Sequence, residues 1–172
     1  AYGGNNIKID GGIFTGTRPI CTYGISNYAE LEINGGTITT GGYHTIYNNN
    51  NTKMKITGGN IQNTYSYSSY NAIYLGGDNP SIEVTGGHIE AIGGNGVHMS
   101  TPGKINITGG EIISGTNIAV ETNYKASEVT LGIKGDGVNT ESPKIQGKIL
   151  GLNAPYSTTK FYDGQIIANK DS

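Results

Sequence analysis

Apolar and polar residues alternate along this chain in a short pattern that returns five times. The copies follow the order apolar, polar, apolar, polar, Gly, Gly, polar, apolar, as in Met54–Ile61, except that Ile13 follows the glycines of the first copy. A period of two is typical of a strand with one buried face and one exposed face. Glycine accommodates a positive φ or a crowded backbone that other residues resist. The pattern therefore predicts two short strands that meet at a Gly-Gly corner.

The spacing of the corners predicts how the copies stack. Successive Gly-Gly pairs lie 24, 23, 28 and 23 residues apart. A third apolar element follows each corner: Gly24–Ile25, Thr45–Tyr47, Ala72–Tyr74, Gly96–His98 and Ile118–Val120. Three strands in about 23 residues form one coil of a solenoid, which buries its apolar face only by stacking on its neighbours. We predict an all-β fold, a right-handed, single-stranded parallel β-helix of about 6–7 coils.

This fold places equivalent residues of successive copies in rows. Three inward rows are predicted: Ile7, Leu31, Met54, Ile82, Ile105, Val129; Ile9, Ile33, Ile56, Val84, Ile107, Leu131; and Ile25, Ile46, Ile73, Val97, Ile118. One outward row holds Lys8, Glu32, Lys55 and Glu83, which alternate in sign. We interpret that row as a solvated face that avoids like charges on adjacent strands.

The pattern covers the chain as a single β-solenoid domain, residues 1–172. Regular coils are expected over about 5–124 and degenerate terminal coils over about 125–172, because terminal repeats are atypical. The degenerate copies are Val129–Gly132, Pro143–Ile149 and Phe161–Ile167.

Composition and charge narrow the classes of function. Glycine contributes 29 of 172 residues, but without the three-residue period of collagen. The net charge is -2 and the 11 Lys and Arg residues are scattered, which excludes the basic patch of a nucleic-acid-binding protein. No apolar run is long enough to span a bilayer, so we expect no membrane insertion.

Several motifs carry a resemblance to a known family. They are the repeated Thr-Gly-Gly-Xaa-Ile units, Asn71–Tyr74, Gly137–Pro143 and Phe161–Ile167. With these, the chain resembles the pectate-lyase-like, right-handed β-helix regions of bacterial surface proteins, especially cell-surface repeat proteins of Firmicutes such as gut clostridia. The resemblance implies an extracellular, wall-associated, adhesin-like solenoid.

The same fold hosts polysaccharide lyases and glycosidases, so we searched for their chemistry. The 13 acidic residues are dispersed and no two are adjacent, unlike a calcium-binding cluster. Glu90 and Glu111 occupy offset row positions and could approach as a glycosidase pair, but we favour a structural role. His44, His88 and His98 are interpreted as surface residues. No catalytic residue, metal or cofactor is predicted, and a binding protein is favoured over an enzyme.

Tyrosines supply the candidate ligand-binding surface. The longest spacing contains the insertion Tyr65–Tyr70, and loops on a rigid scaffold commonly carry binding residues. Tyrosine with Ser and Asn forms an amphipathic contact surface of low entropy cost. The predicted ligand-binding residues are Tyr43, Tyr47, Tyr65, Tyr67, Tyr70, Tyr74, Asn49 and Asn50.

The resulting hypothesis is a non-enzymatic surface solenoid, a monomeric rod that binds carbohydrate or a host or cell-surface protein through this Tyr/Asn-rich flank. The alternatives are a polysaccharide-active β-helix enzyme, lyase-like or glycosidase-like, and a trimeric segment of a phage tail spike.

Overall fold

A computed structural model describes residues 6–22, 30–49, 51–135 and 142–169. These residues form an all-β parallel solenoid of about six turns, with 18 strands and no helix. Every strand pair is parallel, as a continuously wound coil requires. The predicted fold class is confirmed, while the right-handed winding stays a prediction.

The strands lie on three faces. The first face holds β1 (Ile7–Ile9), β4 (Glu30–Ile33), β7 (Lys53–Ile56), the start of β10 (Ser81–Ala91), the start of β12 (Lys104–Ser114), β14 (Glu128–Leu131) and β17 (Thr158–Phe161). The second face holds β2 (Ile13–Thr15), β5 (Thr37–Thr40), β8 (Asn60–Asn63), the ends of β10 and β12, β15 (Lys144–Gly147) and β18 (Gln165–Ala168). The third face holds β3 (Ile20–Thr22), β6 (Ile46–Asn48), β9 (Ile73–Leu75), β11 (Val97–Met99), β13 (Ile118–Thr122) and β16 (Leu150–Asn153).

The corner glycines show both features that the pattern predicted, a crowded backbone and a positive φ. At the third copy, a Cβ on Gly58 would lie 2.5 Å from the carbonyl oxygen of Asn34 on the preceding coil. Gly59 has a φ of 90°, which L side chains rarely adopt. The first glycine therefore permits the close approach of the coils, and the second makes the turn.

The first two inward rows are confirmed by the strand register. Ile7 pairs with Leu31 and Ile9 with Ile33, and the same register continues along both rows to Val129 and Leu131. From Leu31 and Ile33 onward these side chains are buried, and together they form the core. The outward row pairs Lys8 with Glu32 and continues in the predicted order.

The third inward row needs two corrections. Ile46 pairs with Ile20, not with Ile25, which lies outside the described residues. Val97 pairs with Val120, whereas Ile118 pairs with Leu150. Ile118 and Val120 point to the same side of the strand, so alternation alone could not decide between them.

Buried asparagines join the coils at the turns before the third face. The Asn71 side-chain oxygen accepts a hydrogen bond from the Asn95 N–H at 2.9 Å, and the Asn95 side-chain oxygen accepts one from the Ile118 N–H at 3.3 Å. These amides satisfy backbone donors that would otherwise be buried unpaired. Within the described ranges, no helix has the length and apolarity that crossing a membrane would require.

Candidate functional site

The outward residues of the third face form one continuous row across five coils. Tyr47 on β6 pairs with Tyr74 on β9, and Tyr74 pairs with His98 on β11. His98 pairs with Glu121 on β13, which pairs with Asn153 on β16. Successive coils thus present two phenols, an imidazole, a carboxylate and an amide along one line, which we call the third-face row.

The rings of this row stack on each other. The centroids of Tyr47 and Tyr74 lie 5.1 Å apart with an angle of 12° between the ring planes. Tyr74 and His98 lie 5.7 Å apart at 28°. Because each ring covers the face of the next, Tyr74 presents its edge and hydroxyl rather than a free face. That hydroxyl accepts a hydrogen bond from Ser100 Oγ at 2.7 Å.

His44 lies in the turn before β6 and packs against the same row. Its ring centroid is 4.8 Å from that of Tyr74. Its Nδ1 accepts a hydrogen bond from the backbone N–H of Asn71 at 3.0 Å. Burial, aided by the positive charge of Arg18 and by His98, lowers the pKa of His44 to about 4. The imidazole is therefore neutral near pH 7 and carries its proton on Nε2.

Glu121 is the acceptor at the centre of a polar network. It accepts hydrogen bonds from His98 Nδ1 at 2.9 Å and Asn95 Nδ2 at 2.6 Å on one oxygen. Asn153 Nδ2 at 3.1 Å and Asn123 Nδ2 at 3.2 Å donate to the other oxygen. These bonds, led by that from His98, outweigh burial and lower the pKa of Glu121 to about 2. The carboxylate is ionised across the physiological range.

The insertion between β8 and β9, residues 65–70, is named here the tyrosine loop. It lies flat on the next coil instead of projecting. The N–H of Gly93 donates to the carbonyl of Tyr65 at 3.1 Å. A Cβ on Gly93 would lie 2.7 Å from the backbone nitrogen of Tyr67, and one on Gly94 would collide with the backbone of Tyr70. The backbone of the loop therefore packs directly against Gly93 and Gly94 of the following coil, where a side chain would not fit.

Tyr70 is the hub of a second aromatic group. Its ring centroid lies 4.9 Å from Tyr43, 5.6 Å from Tyr65 and 5.3 Å from Tyr67. The three outer rings are exposed, Tyr43 and Tyr65 by 42% and Tyr67 by 57%. The Arg18 guanidinium lies over the Tyr43 ring at 4.4 Å, in cation–π range. The loop tyrosines, unlike the third-face row, keep ring surface free for a ligand.

A polar cleft of about 310 Å³ separates the tyrosine loop from the third-face row. Its volume is at the lower end of the range for small-molecule sites, roughly 300–1,000 Å³. Imidazoles, amides, hydroxyls and one carboxylate line it: His44, Ser68, Ser69, Asn71, Tyr74, Asn95, His98, Asn117 and Glu121.

The predicted ligand-binding residues are distributed over the two aromatic groups. Four of them gather around the tyrosine loop: Tyr43, Tyr65, Tyr67 and Tyr70. Tyr47 and Tyr74 stack in the third-face row, and of these only Tyr74 lines the cleft. Asn49 follows the end of β6 and does not line the cleft, and Asn50 lies outside the described residues.

Sequence reasoning missed the polar half of the site. His44, Asn95, His98 and Glu121 line the cleft, and Arg18 lies over the rings of Tyr43 and Tyr47. A signal for His98 and Glu121 was present, since both stand one residue after the inward position of the third strand. For Arg18 and His44, which lie in turns, no periodic signal was available.

Glu90 and Glu111 both contact His88 on the second face. His88 Nδ1 lies 3.0 Å from Glu111 and His88 Nε2 lies 3.6 Å from Glu90. The hydrogen bond from Lys144, 2.7 Å from Glu111, is the largest cause that lowers the Glu111 pKa. A glycosidase acid needs a raised pKa, so the observed shift has the opposite sign.

No group of three or more His, Cys, Asp and Glu side chains among the described residues is arranged to hold a metal ion. Comparison of the chain with protein-family models, with curated proteins and with solved structures found no match.

Proposed function

We propose that this protein is a non-enzymatic, glycan-binding β-solenoid that acts as an adhesin-like module of a bacterial cell surface. One observation carries the binding proposal: a cleft of about 310 Å³, lined by polar side chains, beside a loop that carries exposed tyrosine rings. The extracellular, wall-associated location and the link to pectate-lyase-like surface proteins of Firmicutes rest on the repeat motifs alone.

The cleft supplies the chemistry that sugars need. A sugar ring carries closely spaced hydroxyls, each of which can donate and accept hydrogen bonds. Asn71, Asn117, Ser68 and Ser69 offer donors and acceptors around one cavity. The rings of Tyr65 and Tyr67 add free amphipathic surface on the neighbouring loop.

The size of the site favours a glycan over a protein partner. A stable protein interface buries about 800 Å² on each partner and centres on desolvated anchors. Here the polar groups converge in a concave cleft, and the exposed rings of Tyr43, Tyr65 and Tyr67 are grouped at the neighbouring loop. A protein ligand is therefore an outcome of the test and not the proposal.

The geometry supports binding better than catalysis. Glu121 is the carboxylate of the cleft, and four N–H donors hold it ionised, so it cannot deliver a proton to a leaving group. A lyase needs a Lys or Arg base beside the substrate, and the cleft lining contains neither.

A glycan array tests the proposal. Tyr65→Ala, Tyr67→Ala and the double variant are compared with wild type and with Tyr156→Ala, a matched control whose ring is 61% exposed far along the chain. We expect the double variant to lose at least tenfold in glycan affinity and the control to bind like wild type.

Two results would contradict the proposal: no glycan bound by wild type, or equal losses in the double variant and Tyr156→Ala. Capture of a host protein that persists in the double variant, without glycan binding, would favour the protein ligand instead.

A further inference from the structure

We propose that the cleft selects an uncharged sugar ligand, with one hydroxyl that accepts from His44 and another that donates to His98. This inference rests on the proposed glycan-binding function and names the class of sugar. It follows from the hydrogen bonds that the two imidazoles make inside the protein, because those bonds decide which protons the rings present outside.

His44 is a donor towards the cleft. Its Nδ1 faces the backbone N–H of Asn71 at 3.0 Å, and a backbone amide can only donate. Nδ1 must therefore be the unprotonated nitrogen, and the neutral ring carries its hydrogen on Nε2. Nε2 is the nitrogen farther from the backbone, on a residue that lines the cleft.

His98 is the opposite case, because its Nε2 is an acceptor. Its Nδ1 faces the Glu121 carboxylate at 2.9 Å, and an ionised carboxylate can only accept. The hydrogen of the neutral ring therefore lies on Nδ1, and Nε2 is left as an acceptor. Asn95 Nδ2 donates to the same Glu121 oxygen at 2.6 Å, so its 3.3 Å approach to His98 Nδ1 is a contact between two donors.

Tyr74 contacts both imidazoles, and all three residues line the cleft. Its ring lies 4.8 Å from His44 and 5.7 Å from His98. A fixed donor and a fixed acceptor on the lining of one cleft match two hydroxyls of a sugar ligand, since a hydroxyl can take either role. A carboxylate, which only accepts, would leave the His98 acceptor facing another acceptor.

Charge favours the same class of ligand. No Lys or Arg lines the cleft, and its carboxylate is Glu121. An acidic sugar would approach that negative charge without a lining cation to offset it. An amino sugar gains little, because four N–H donors already occupy the lone pairs of Glu121. The uncharged sugar is the one that the lining can accept without an unpaired charge.

The first experiment observes the imidazoles directly. Long-range ¹H–¹⁵N correlation spectra at pH 8 distinguish the two neutral tautomers of each of the three histidines, with His88→Gln used for assignment. We expect His44 to carry its proton on Nε2 and His98 on Nδ1. The reverse tautomer at either residue, or a protonated His98 at pH 8, overturns the inference whatever the glycan array shows.

The second experiment compares three sugar probes by calorimetry: neutral galacto-oligosaccharides, oligogalacturonates and chitosan oligomers. We expect the neutral probe to bind at least tenfold more tightly than either charged probe. Tighter binding of a charged probe, abolished in Tyr65→Ala/Tyr67→Ala, overturns the inference and leaves the proposed function standing. Binding of no sugar, on these probes and the array, overturns the proposed function itself.

A third experiment uses variants to test whether binding of the neutral probe depends on Nε2 of His44 and Nε2 of His98. His44→Phe and His98→Phe keep a ring in the stack and remove the donor and the acceptor. We expect each to weaken binding of the neutral probe about tenfold. His88→Phe is the matched control, because His88 pairs with a glutamate at a similar distance but outside the cleft. Unchanged binding in His44→Phe and His98→Phe with intact thermal unfolding, or an equal loss in His88→Phe, contradicts the assignment.

Discussion

Two histidine–glutamate pairs of nearly equal geometry lie on different faces of the solenoid. His98 is 2.9 Å from Glu121 on the third face, and His88 is 3.0 Å from Glu111 on the second. Their surroundings differ: the His98 and Glu121 side chains are 24% and 15% exposed, those of His88 and Glu111 36% and 32%. The third-face pair lines a cleft together with amides and two serines of the tyrosine loop, while Lys144 is hydrogen-bonded to the glutamate of the other pair.

The comparison shows that the residue pair alone does not make a site. On the second face, water screens the ion pair and the carboxylates are held by opposite charges. On the third face, three neutral amides and burial reduce the contact of the carboxylate with water, so its hydrogen bonds gain strength and orient the imidazole. Burial of the pair and the side chains that surround it, both provided by other coils, therefore distinguish a candidate binding cleft from a surface ion pair.

The largest expected difference between the pairs is in stability. Glu121→Ala removes the acceptor of four N–H groups and should lower the free energy of unfolding by about 2–3 kcal/mol. Glu111→Ala removes a more exposed pair and should lower it by about 1 kcal/mol or less. Urea denaturation of both variants measures the difference, and equal losses would contradict the contrast drawn here.

The second expected difference between the two glutamates is in how the free energy of unfolding depends on pH in acid. The Glu121 pKa is lowered from 4.5 to about 2, so its stabilisation is present above about pH 4.5 and is lost as the pH falls towards 2. At about 1.4 kcal/mol for each pH unit, the loss approaches about 2 kcal/mol once residual solvation is allowed for. Glu121→Gln should flatten this part of the stability profile more than Glu111→Gln. A steeper effect of Glu111→Gln would reverse the ranking.

His44 should add a second loss of stability at a higher pH on the third face. Its pKa is lowered from 6.5 to about 4, so the neutral ring stabilises the fold above about pH 6.5, and this contribution is lost as the pH falls to 4. Because the ring is partly solvated, we expect about 1–2 kcal/mol. His44→Phe should flatten the wild-type profile between pH 6.5 and 4. A profile in His44→Phe that falls as steeply as that of wild type would contradict this expectation.

The smallest expected effect concerns the tyrosine loop, which borders the cleft on the third face and, within the described residues, has no counterpart on the second. Gly93→Ala places a Cβ against the backbone of Ser66 and Tyr67 and should cost about 1 kcal/mol, because an exposed loop can move away. The displaced loop should be cleaved faster by chymotrypsin after its tyrosines. Gly11→Ala is the control, since a Cβ there meets nothing within 4 Å. Equal cleavage rates would show that Gly93 does not seat the loop.

The core of the fold could be predicted because its signal is local and repeated. Alternation in Met54–Ile56 and in each other copy places every second residue inside, and the Gly-Gly pair marks the same corner in each coil. Five concordant copies therefore set the register of the first two faces. The register of the third face was predicted less accurately, because turns of different length precede its strands. Two predicted partners were therefore wrong: Ile46 pairs with Ile20, and Val97 pairs with Val120.

The site could be predicted only in part. The run of tyrosines in the insertion indicated an aromatic surface, and Tyr70 does gather three of the others around it. Its orientation could not be foreseen, because the seat of the loop is made by Gly93 and Gly94 of the following coil. The polar residues were overlooked since His98 and Glu121 are 23 residues apart and meet only through the register.

By itself, the sequence determined the coil: which residues face the core, where the corners lie and that equivalent positions stack. Those properties depend on side-chain period and backbone conformation, which neighbouring residues decide. Only the tertiary structure decided that the tyrosine loop lies across a cleft from the third-face row, and that His44 presents a donor and His98 an acceptor. Both depend on hydrogen bonds between different coils, whose partners no local pattern specifies.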